Sequence, residues 1–393
     1  MARVIVTDGE TRAALAAVRA LGRSGHEVFV TAARLPALAS VSRWARRSAI
    51  VPSPLQSPET AVARLAELAR TWEADVLLPV TDPTTSLMLG ARSRLGSTVV
   101  AGPDAAAYTA LADKASLITR ARSVGLATPR SVEVGRAAEL PAAVEEIGYP
   151  CVVKPHRSVV RDGAIQRSFP VCQVAHHREW GAAFPASAFP VLVQERIVGP
   201  GEGVFLLMDH GQRVAAFAHQ RLREKPPWGG VSVYSESIAL QPELLEACER
   251  LLAGVCWHGV AMVELKRRAK TGTSYLMEVN GRLWGSLQLA LDSGVDFPTL
   301  LVRLALGEVV APVNVYRVGV RSRWFWGDLD HLLTRFRRAR EVLALDPGAP
   351  SRLGVLRDFL RFSRPGERFD VWDATDRRPF IRETIDWLSG RNP

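Results

Sequence analysis

The sequence lacks any uninterrupted apolar run of the ~18–20 residues that a helix needs to cross a bilayer. Its N-terminus also lacks the long apolar core and small-residue cleavage site of a secretion signal. The sequence contains four cysteines without CxxC or other metal-binding spacing, and we expect reduced thiols. These absences predict a cytoplasmic protein without a transmembrane segment. The cysteines are Cys151, Cys172, Cys248 and Cys256.

Basic runs with interleaved aromatic residues are also missing, although the net charge is +10. This absence argues against a nucleic-acid platform, and we predict no nucleic-acid partner. An anionic nucleotide substrate is a simpler explanation of the surplus arginine, which is scattered along the chain. A length of 393 residues with 47% hydrophobic and 23% charged residues predicts a globular protein of two or three domains.

The first hundred residues alternate strand and helix patterns. Strands are predicted at Arg3–Thr7, Val28–Thr31 and Asp75–Val80, and amphipathic helices at Thr11–Leu21 and Thr60–Thr71. This alternation predicts an α/β domain with a doubly wound parallel sheet. The first turn lacks the glycine pattern that lets a backbone approach a pyrophosphate, so no dinucleotide site is predicted there.

Asp82 follows the third of these strands. Open parallel sheets bind ligands at the carboxyl ends of their strands, so Asp82 is a candidate substrate contact. An aspartate at this position is equally typical of a helix N-cap. Both interpretations stay open.

One short segment near residue 280 carries most of the recognisable chemistry. Glu278 and Asn280 are two residues apart, so in an extended strand their side chains leave the same face. Glu264 lies on the preceding predicted strand, and three oxygen-bearing side chains suit Mg²⁺. Arg282 adds a planar donor fork for a phosphoryl oxygen. A Glu-x-Asn pair alone is more often a turn with a solvated carboxylate, so the prediction depends on further phosphate-site residues upstream.

Such residues occur in order, and with them the sequence resembles the ATP-grasp superfamily, in particular the carboxylate–amine ligase-like members related to carbamoyl-phosphate synthase. The resemblance covers roughly residues 1–310. It implies an α/β (α+β) ATP-grasp fold preceded by the doubly wound parallel-sheet domain and followed by a helical C-terminal extension. The matching stretches are Leu111-Ala-Asp-Lys114, Val152-Val-Lys-Pro155, Val193-Gln-Glu-Arg-Ile197, Gly201-Glu-Gly203, His219-Gln-Arg221 and Met277-Glu-Val-Asn-Gly-Arg282.

The resemblance also implies domain boundaries. We expect a first domain at 1–105, an ATP-grasp domain at 106–310 with lobes 106–192 and 193–310, and an extension at 311–393. The extension is rich in arginine and aromatic residues, with a predicted helix at Asp328–Ala344.

Residue roles follow from the same resemblance. Nucleotide-binding residues are expected at Lys114, Lys154, Glu195, Arg196, Ile197 and Glu202, with the lysines on phosphate, 195–197 at the adenine and Glu202 at the ribose. Metal ligands are expected at Glu264, Glu278 and Asn280. Residues facing the reacting groups are expected at Arg282, Arg221 and His219. The alternatives are a surface strand-end lysine for Lys154 and an exposed loop carboxylate for Glu202.

Two loops are of special interest. His219 and Arg221 either bind an acyl phosphate or carboxylate, or hold loop 222–234, whose glycines would allow movement. The loop 156–163 is poor in the glycines that many ATP-grasp proteins place over the triphosphate, so we expect backbone N–H groups and the arginines of the loop to share the phosphate binding. A closing lid is expected within 155–210, because an acyl phosphate must be shielded from water.

These features predict an ATP-dependent carboxylate–amine ligase that uses Mg²⁺, with Mn²⁺ as an alternative, and acts through an acyl phosphate. Its partners would be ATP and a small-molecule carboxylate and amine, with a homodimer left open. Alternatives are a carbamoyl-phosphate-like or carboxylase-like reaction and a non-catalytic ATP-binding module. Trp324, Phe325 and Trp326 suggest either a membrane-surface patch or, as the favoured interpretation, a helical cap on the enzyme body.

Overall fold

The N-terminal part forms a five-stranded parallel sheet with the strand order β3-β2-β1-β4-β5. The computed structural model describes residues 1–391 apart from 158, 163–164, 170, 175–187, 341–342, 344, 346–347 and 363. The elements are β1 (Arg3–Val6), α1 (Arg12–Arg23), β2 (Glu27–Ala32), β3 (Ala45–Ile50), α2 (Pro58–Thr71), β4 (Val76–Leu78), α3 (Asp82–Gly90) and β5 (Val99–Val100).

The predicted parallel βαβ arrangement is confirmed. Thr11 is the N-cap of α1, and its hydroxyl accepts a hydrogen bond from the Ala14 N–H at 3.1 Å. The alanine- and leucine-rich face of α1 is buried. Strand β3 was not predicted, because its sequence Ala-Arg-Arg-Ser-Ala-Ile lies largely exposed at the sheet edge and lacks an apolar pattern.

The next part contains a four-stranded antiparallel sheet with the order β10-β7-β11-β6 and a separate β8-β9 hairpin. Asp113 is the N-cap of α5, and its carboxylate accepts from the Ser116 N–H at 3.0 Å. The elements are α4 (Ala105–Ala112), α5 (Lys114–Ser123), β6 (Ser131–Val134), α6 (Leu140–Ile147), β7 (Cys151–Pro155), β8 (Val159–Asp162), β9 (Ile165–Ser168), β10 (Cys172–Val174) and β11 (Val191–Glu195).

The remaining elements build a seven-stranded sheet with helices packed against it. They are β12 (Gly201–Asp209), β13 (Gln212–Lys225), β14 (Val231–Ser237), α7 (Pro242–Ala253), β15 (Gly259–Arg267), β16 (Ser274–Asn280), α8 (Leu287–Ser293), α9 (Phe297–Ala305), β17 (Arg321–Arg323), α10 (Phe325–Arg337), α11 (Arg352–Phe359), β18 (Glu367–Phe369) and α12 (Arg378–Leu388). The strand order is β16-β15-β12-β13-β14-β17-β18. Strands β12 and β13 form an antiparallel hairpin, and so do β15 and β16.

The C-terminal extension is helical, as expected, but it also contributes β17 and β18, which the sequence did not predict. Each is three residues long, too short for a periodic pattern. Helix α10 begins three residues before the predicted start and ends at Arg337, whereas the predicted end at Ala344 lies outside the described residues.

The aromatic residues at positions 324–326 pack against other side chains of the protein. Trp324 is buried, and Trp326 stacks on Trp387 with ring centroids 4.4 Å apart. This packing supports the helical-cap interpretation over a membrane-surface patch. Among the described residues, no helix is long and apolar enough to span a membrane.

Candidate active site

A cleft of about 440 Å³ lies between the four-stranded sheet and the seven-stranded sheet. Strands β7 and β11 contribute to one wall, and β13, β15 and β16 to the other. Nine of the twelve predicted site residues line it: Lys154, Glu195, Arg196, Ile197, Arg221, Glu264, Glu278, Asn280 and Arg282. Residues separated by more than a hundred positions are therefore brought to one cleft.

The predicted metal ligands lie on two paired strands. Glu264 on β15 is the register partner of Glu278 on β16, so their side chains leave one face with Cβ atoms about 5 Å apart. Burial raises the pKa of Glu264, with Arg221 opposing this effect and Glu278 adding to it. Burial also acts to raise the pKa of Glu278, but Lys114 and Asn280, among other groups, outweigh it, so that pKa is lowered. Two carboxylates directly opposite each other repel and destabilise the strand pair, and a cation bound between them offsets this repulsion.

Asn280 completes an oxygen-rich donor set. Its amide N–H donates to Glu278 Oε1 at 3.0 Å, which confirms that both side chains leave the same face. Its amide oxygen accepts from Arg282 at 3.0 Å. Carboxylate and amide oxygens are ligands that Mg²⁺ uses, so the residues present fit this ion.

Two lysines supply positive charge next to the carboxylates. Lys154 Nζ donates to the Met277 carbonyl at 3.2 Å, and Lys114 Nζ lies 3.9 Å from Glu278 Oε2. Burial, followed by the charge of Lys114, lowers the pKa of Lys154 to about 8. An ammonium group that is poorly solvated in this way is well placed to gain from an anionic ligand such as a phosphate.

Arg282 connects the cleft to the first sheet. Its Nε and one terminal nitrogen each lie 3.0 Å from Asp82 Oδ2. Tyr108 donates its hydroxyl to the other Asp82 oxygen at 3.2 Å. Asp82 is the first residue of α3 and Thr81 its N-cap, so Asp82 positions an arginine of the site and is not the cap. The sequence singled out Asp82, but nothing in it indicated this partner.

Arg221 and His219 lie on β13 and differ in environment. Arg221 pairs with Glu264 at 2.8 Å and with Glu224 at 3.0 Å. His219 is fully buried behind the cleft wall, with its ring 4.7 Å edge-on from Phe205. Burial, and then the charge of Arg221, lowers the His219 pKa well below its usual value, so the ring is neutral.

The predicted adenine segment follows β11 directly. Glu195 accepts from Arg268 at 2.9 Å, and Ile197 is buried beside it. The predicted ribose carboxylate, Glu202, is buried and does not line the cleft. It accepts from Ser274 at 2.8 Å and lies 2.6 Å from Arg267.

Comparisons with known proteins identify the fold. Residues 187–325 match the family described as "ATP-grasp in the biosynthetic pathway with Ter operon". A biotin carboxylase from Campylobacter jejuni, crystallised with beta-gamma-ATP, superposes with a TM-score of 0.64 at 17% identity, over 82% of this chain and 74% of that one. The chain has the ATP-grasp fold.

Two further ATP-grasp structures are similar. An L-amino acid ligase from Bacillus licheniformis gives a TM-score of 0.60 at 19% identity, over 79% of this chain and 75% of that chain. The second is the biotin carboxylase domain of a Hydrogenobacter thermophilus 2-oxoglutarate carboxylase, crystallised with MgADP and bicarbonate. It gives a TM-score of 0.63 at 16% identity, over 81% of this chain and 73% of that chain. A search of the curated proteins finds no sequence that matches this chain.

Some predicted features of the ATP-grasp site stay predictions. Residues 158 and 163–164 of the glycine-poor loop, and 175–187 of the expected lid, lie outside the described part of the chain. Loop 222–234 is described, and Gly229 and Gly230 line the cleft. Arg221 donates to the Gly230 carbonyl at 3.0 Å, so Arg221 holds this loop, which was one of its two predicted roles.

Proposed function

We propose that the chain is an ATP-dependent ligase that joins a carboxylate to an amine through an acyl phosphate. The observation that carries the proposal is the opposition of Glu264 and Glu278 across β15 and β16, in the cleft that Lys154 also lines. Two carboxylates beside a poorly solvated ammonium group form a costly arrangement, which nucleotide phosphates and a divalent cation relieve.

The chemistry separates into two balanced steps. The γ-phosphoryl group moves from ATP to a carboxylate oxygen of the substrate, so that one P–O bond forms while the bond to the β-phosphate oxygen breaks and ADP leaves. The amine nitrogen then attacks the carbonyl carbon, the C–N bond forms, phosphate leaves with the C–O electron pair, and the nitrogen loses a proton. Positioning and charge neutralisation are the tasks of the protein in such a reaction.

Individual residues have distinct roles in this proposal. Glu264, Glu278 and Asn280 would hold Mg²⁺, which neutralises phosphate charge. Lys154 binds phosphate oxygens as a compact cation. Arg282, held in place by Asp82, faces the transferred phosphoryl group and stabilises its charge.

A carboxylase-like reaction is the second candidate. The biotin carboxylase and the 2-oxoglutarate carboxylase domain share the fold over about four-fifths of this chain, and the latter was crystallised with bicarbonate. In that case bicarbonate would take the place of the organic carboxylate. The L-amino acid ligase, at 19% identity, supports the ligase chemistry to a similar degree.

The metal assignment is tested with Glu278→Gln, which keeps the shape of the side chain but removes its charge. We expect Mg²⁺-dependent binding of a fluorescent ATP analogue to weaken by about 100-fold or more. Substitution of residues that only hydrogen-bond to metal ligands already lowers metal affinity about 10–100-fold. The matched control is Glu236→Gln on β14, where the carboxylate pairs with Arg321 outside the cleft, and we expect less than a threefold change. Equal Mg²⁺ dependence in Glu278→Gln and wild type would overturn the site.

The reaction class is tested by ADP release. Pairs of carboxylic acids and amines are screened, with bicarbonate alone as a separate arm. ADP release that requires both an acid and an amine supports the ligase. Release that requires bicarbonate and no other acid supports the carboxylase-like reaction and rejects the ligase.

A further inference from the structure

A second cavity, of about 330 Å³, lies next to the cleft. It is bounded by the start of α1, the segment 36–38, the carboxyl end of β4 and helix α12 of the C-terminal extension. Arg282, Val231 and Gly285 line both this cavity and the cleft. A molecule in this cavity would therefore reach Arg282, where the phosphoryl group is proposed to arrive.

The cavity walls are mainly apolar, with Leu38, Leu283 and Trp324 among them. Nearly all of its charged side chains already have protein partners. Glu10 accepts from the N–H groups of Ala33 and Arg34, Arg12 pairs with Asp370, Arg34 donates to the Arg391 carbonyl, Asp82 pairs with Arg282, and Asp386 pairs with Arg382.

Glu383 on α12 differs from them, because only one of its two carboxylate oxygens has a hydrogen-bond partner among the described residues. Its side chain is 8% exposed, and Oε1 accepts from the Trp324 indole N–H at 2.7 Å. Oε2 is buried and has no hydrogen-bond partner among the described residues. Burial raises the pKa of Glu383 to about 7. A buried carboxylate oxygen without a donor is unfavourable, and it gains most from a cationic donor.

We infer that this cavity is the acceptor site and that Glu383 binds the ammonium group of a primary amine with an apolar body. The mainly apolar walls fit the body, and the Glu383 carboxylate, which lines the cavity with only one oxygen hydrogen-bonded, fits a charged N–H donor. The role of this amine as the nitrogen nucleophile rests on the proposed ligase function. The shared wall at Arg282 places the amine beside the activated carboxylate.

The test compares two probes of nearly equal shape, phenethylamine and phenethyl alcohol, by calorimetry at pH 8 without nucleotide. We expect wild type to bind phenethylamine at least tenfold more tightly than the alcohol. Glu383→Gln should lose this preference and bind both probes equally. Asp386→Asn, which removes the same charge from the same helix, should keep it, since Asp386 is paired with Arg382.

Equal affinity of wild type for the two probes, or an unchanged preference in Glu383→Gln, would overturn the inference. A preference lost equally in Asp386→Asn would also overturn it, because the effect would then come from general charge. Circular dichroism verifies that each variant is folded. Because these measurements need no ATP, amine binding and the metal site tested with Glu278→Gln can fail independently.

Discussion

The unpaired carboxylate of Glu383 should make the protein less stable, and its removal should therefore be stabilising. In Glu383→Gln the side-chain amide oxygen still accepts from the Trp324 indole N–H, and the buried position no longer carries an ionisable group. A side chain kept for binding often costs stability, because it is arranged for a ligand and not for the free protein. We expect the variant to be more stable than wild type at neutral and alkaline pH.

The magnitude follows from the pKa of Glu383. Burial raises this pKa from 4.5 to about 7; Asp370 adds to the rise, while the Trp324 hydrogen bond, Arg12 and Arg19 oppose it. The folded state holds the proton more tightly than the unfolded state, so Glu383 does not lower the free energy of unfolding below pH 4.5. The free energy of unfolding then falls as the pH rises from 4.5 through about 7. The cost is about 1.4 kcal/mol at pH 5.5 and about 3 kcal/mol at pH 8.5.

The assay is urea unfolding followed by circular dichroism at these two pH values. The free energy of unfolding of Glu383→Gln should exceed that of wild type by up to these amounts, so the gain should roughly double at the higher pH. Asp386→Asn is the control and should be slightly less stable, since it loses an ion pair with Arg382. A Glu383→Gln protein that is less stable than wild type, or whose gain does not grow with pH, would refute the reasoning.

Two further predictions concern Lys154 in the cleft and Gly199 in the loop that follows β11. Lys154, with a pKa of about 8, is mostly neutral at pH 9, so ATP binding should take up about one proton there and almost none at pH 6.5. Calorimetry in two buffers of different ionisation enthalpy measures this uptake, and an uptake that persists in Lys154→Met would assign it elsewhere. Gly199 has φ +147°, and an added Cβ would lie 1.9 Å from the Arg267 carbonyl oxygen, so Gly199→Ala should lose about 3 kcal/mol in urea unfolding. Gly90→Ala, where a Cβ meets nothing within 4 Å, is the control, and similar stability of both variants would contradict this account.

The relative placement of the three proposed metal ligands was largely predictable, because it depends on short-range strand periodicity. Glu278 and Asn280 share a face since they are two residues apart on β16, and their 3.0 Å hydrogen bond reflects that spacing. The antiparallel hairpin then brings Glu264 opposite Glu278. The resemblance to ATP-grasp motifs predicted which other segments of the chain contribute residues to the cleft.

Long-range contacts were not predictable in the same way. The sequence does not show that Asp82 pairs with Arg282, two hundred residues later, because neither position carries a local pattern for the other. Glu202 is expected to bind a ribose, and the sequence does not show that its carboxylate forms an ion pair with Arg267 and accepts a hydrogen bond from Ser274. Glu383 lies on an ordinary amphipathic helix, and only the packing of α12 brings it to a cavity beside Arg282.

The two short strands of the C-terminal extension have a consequence for any shortened form of the chain. Strand β17 pairs with β14 through Tyr234, Ser235 and Glu236. Without the residues after 310, those backbone groups would form an open border of the large sheet, which is a template for self-association. We therefore expect a form that ends at residue 310 to self-associate, and the proposed amine site is better examined by substitutions within α12 than by truncation.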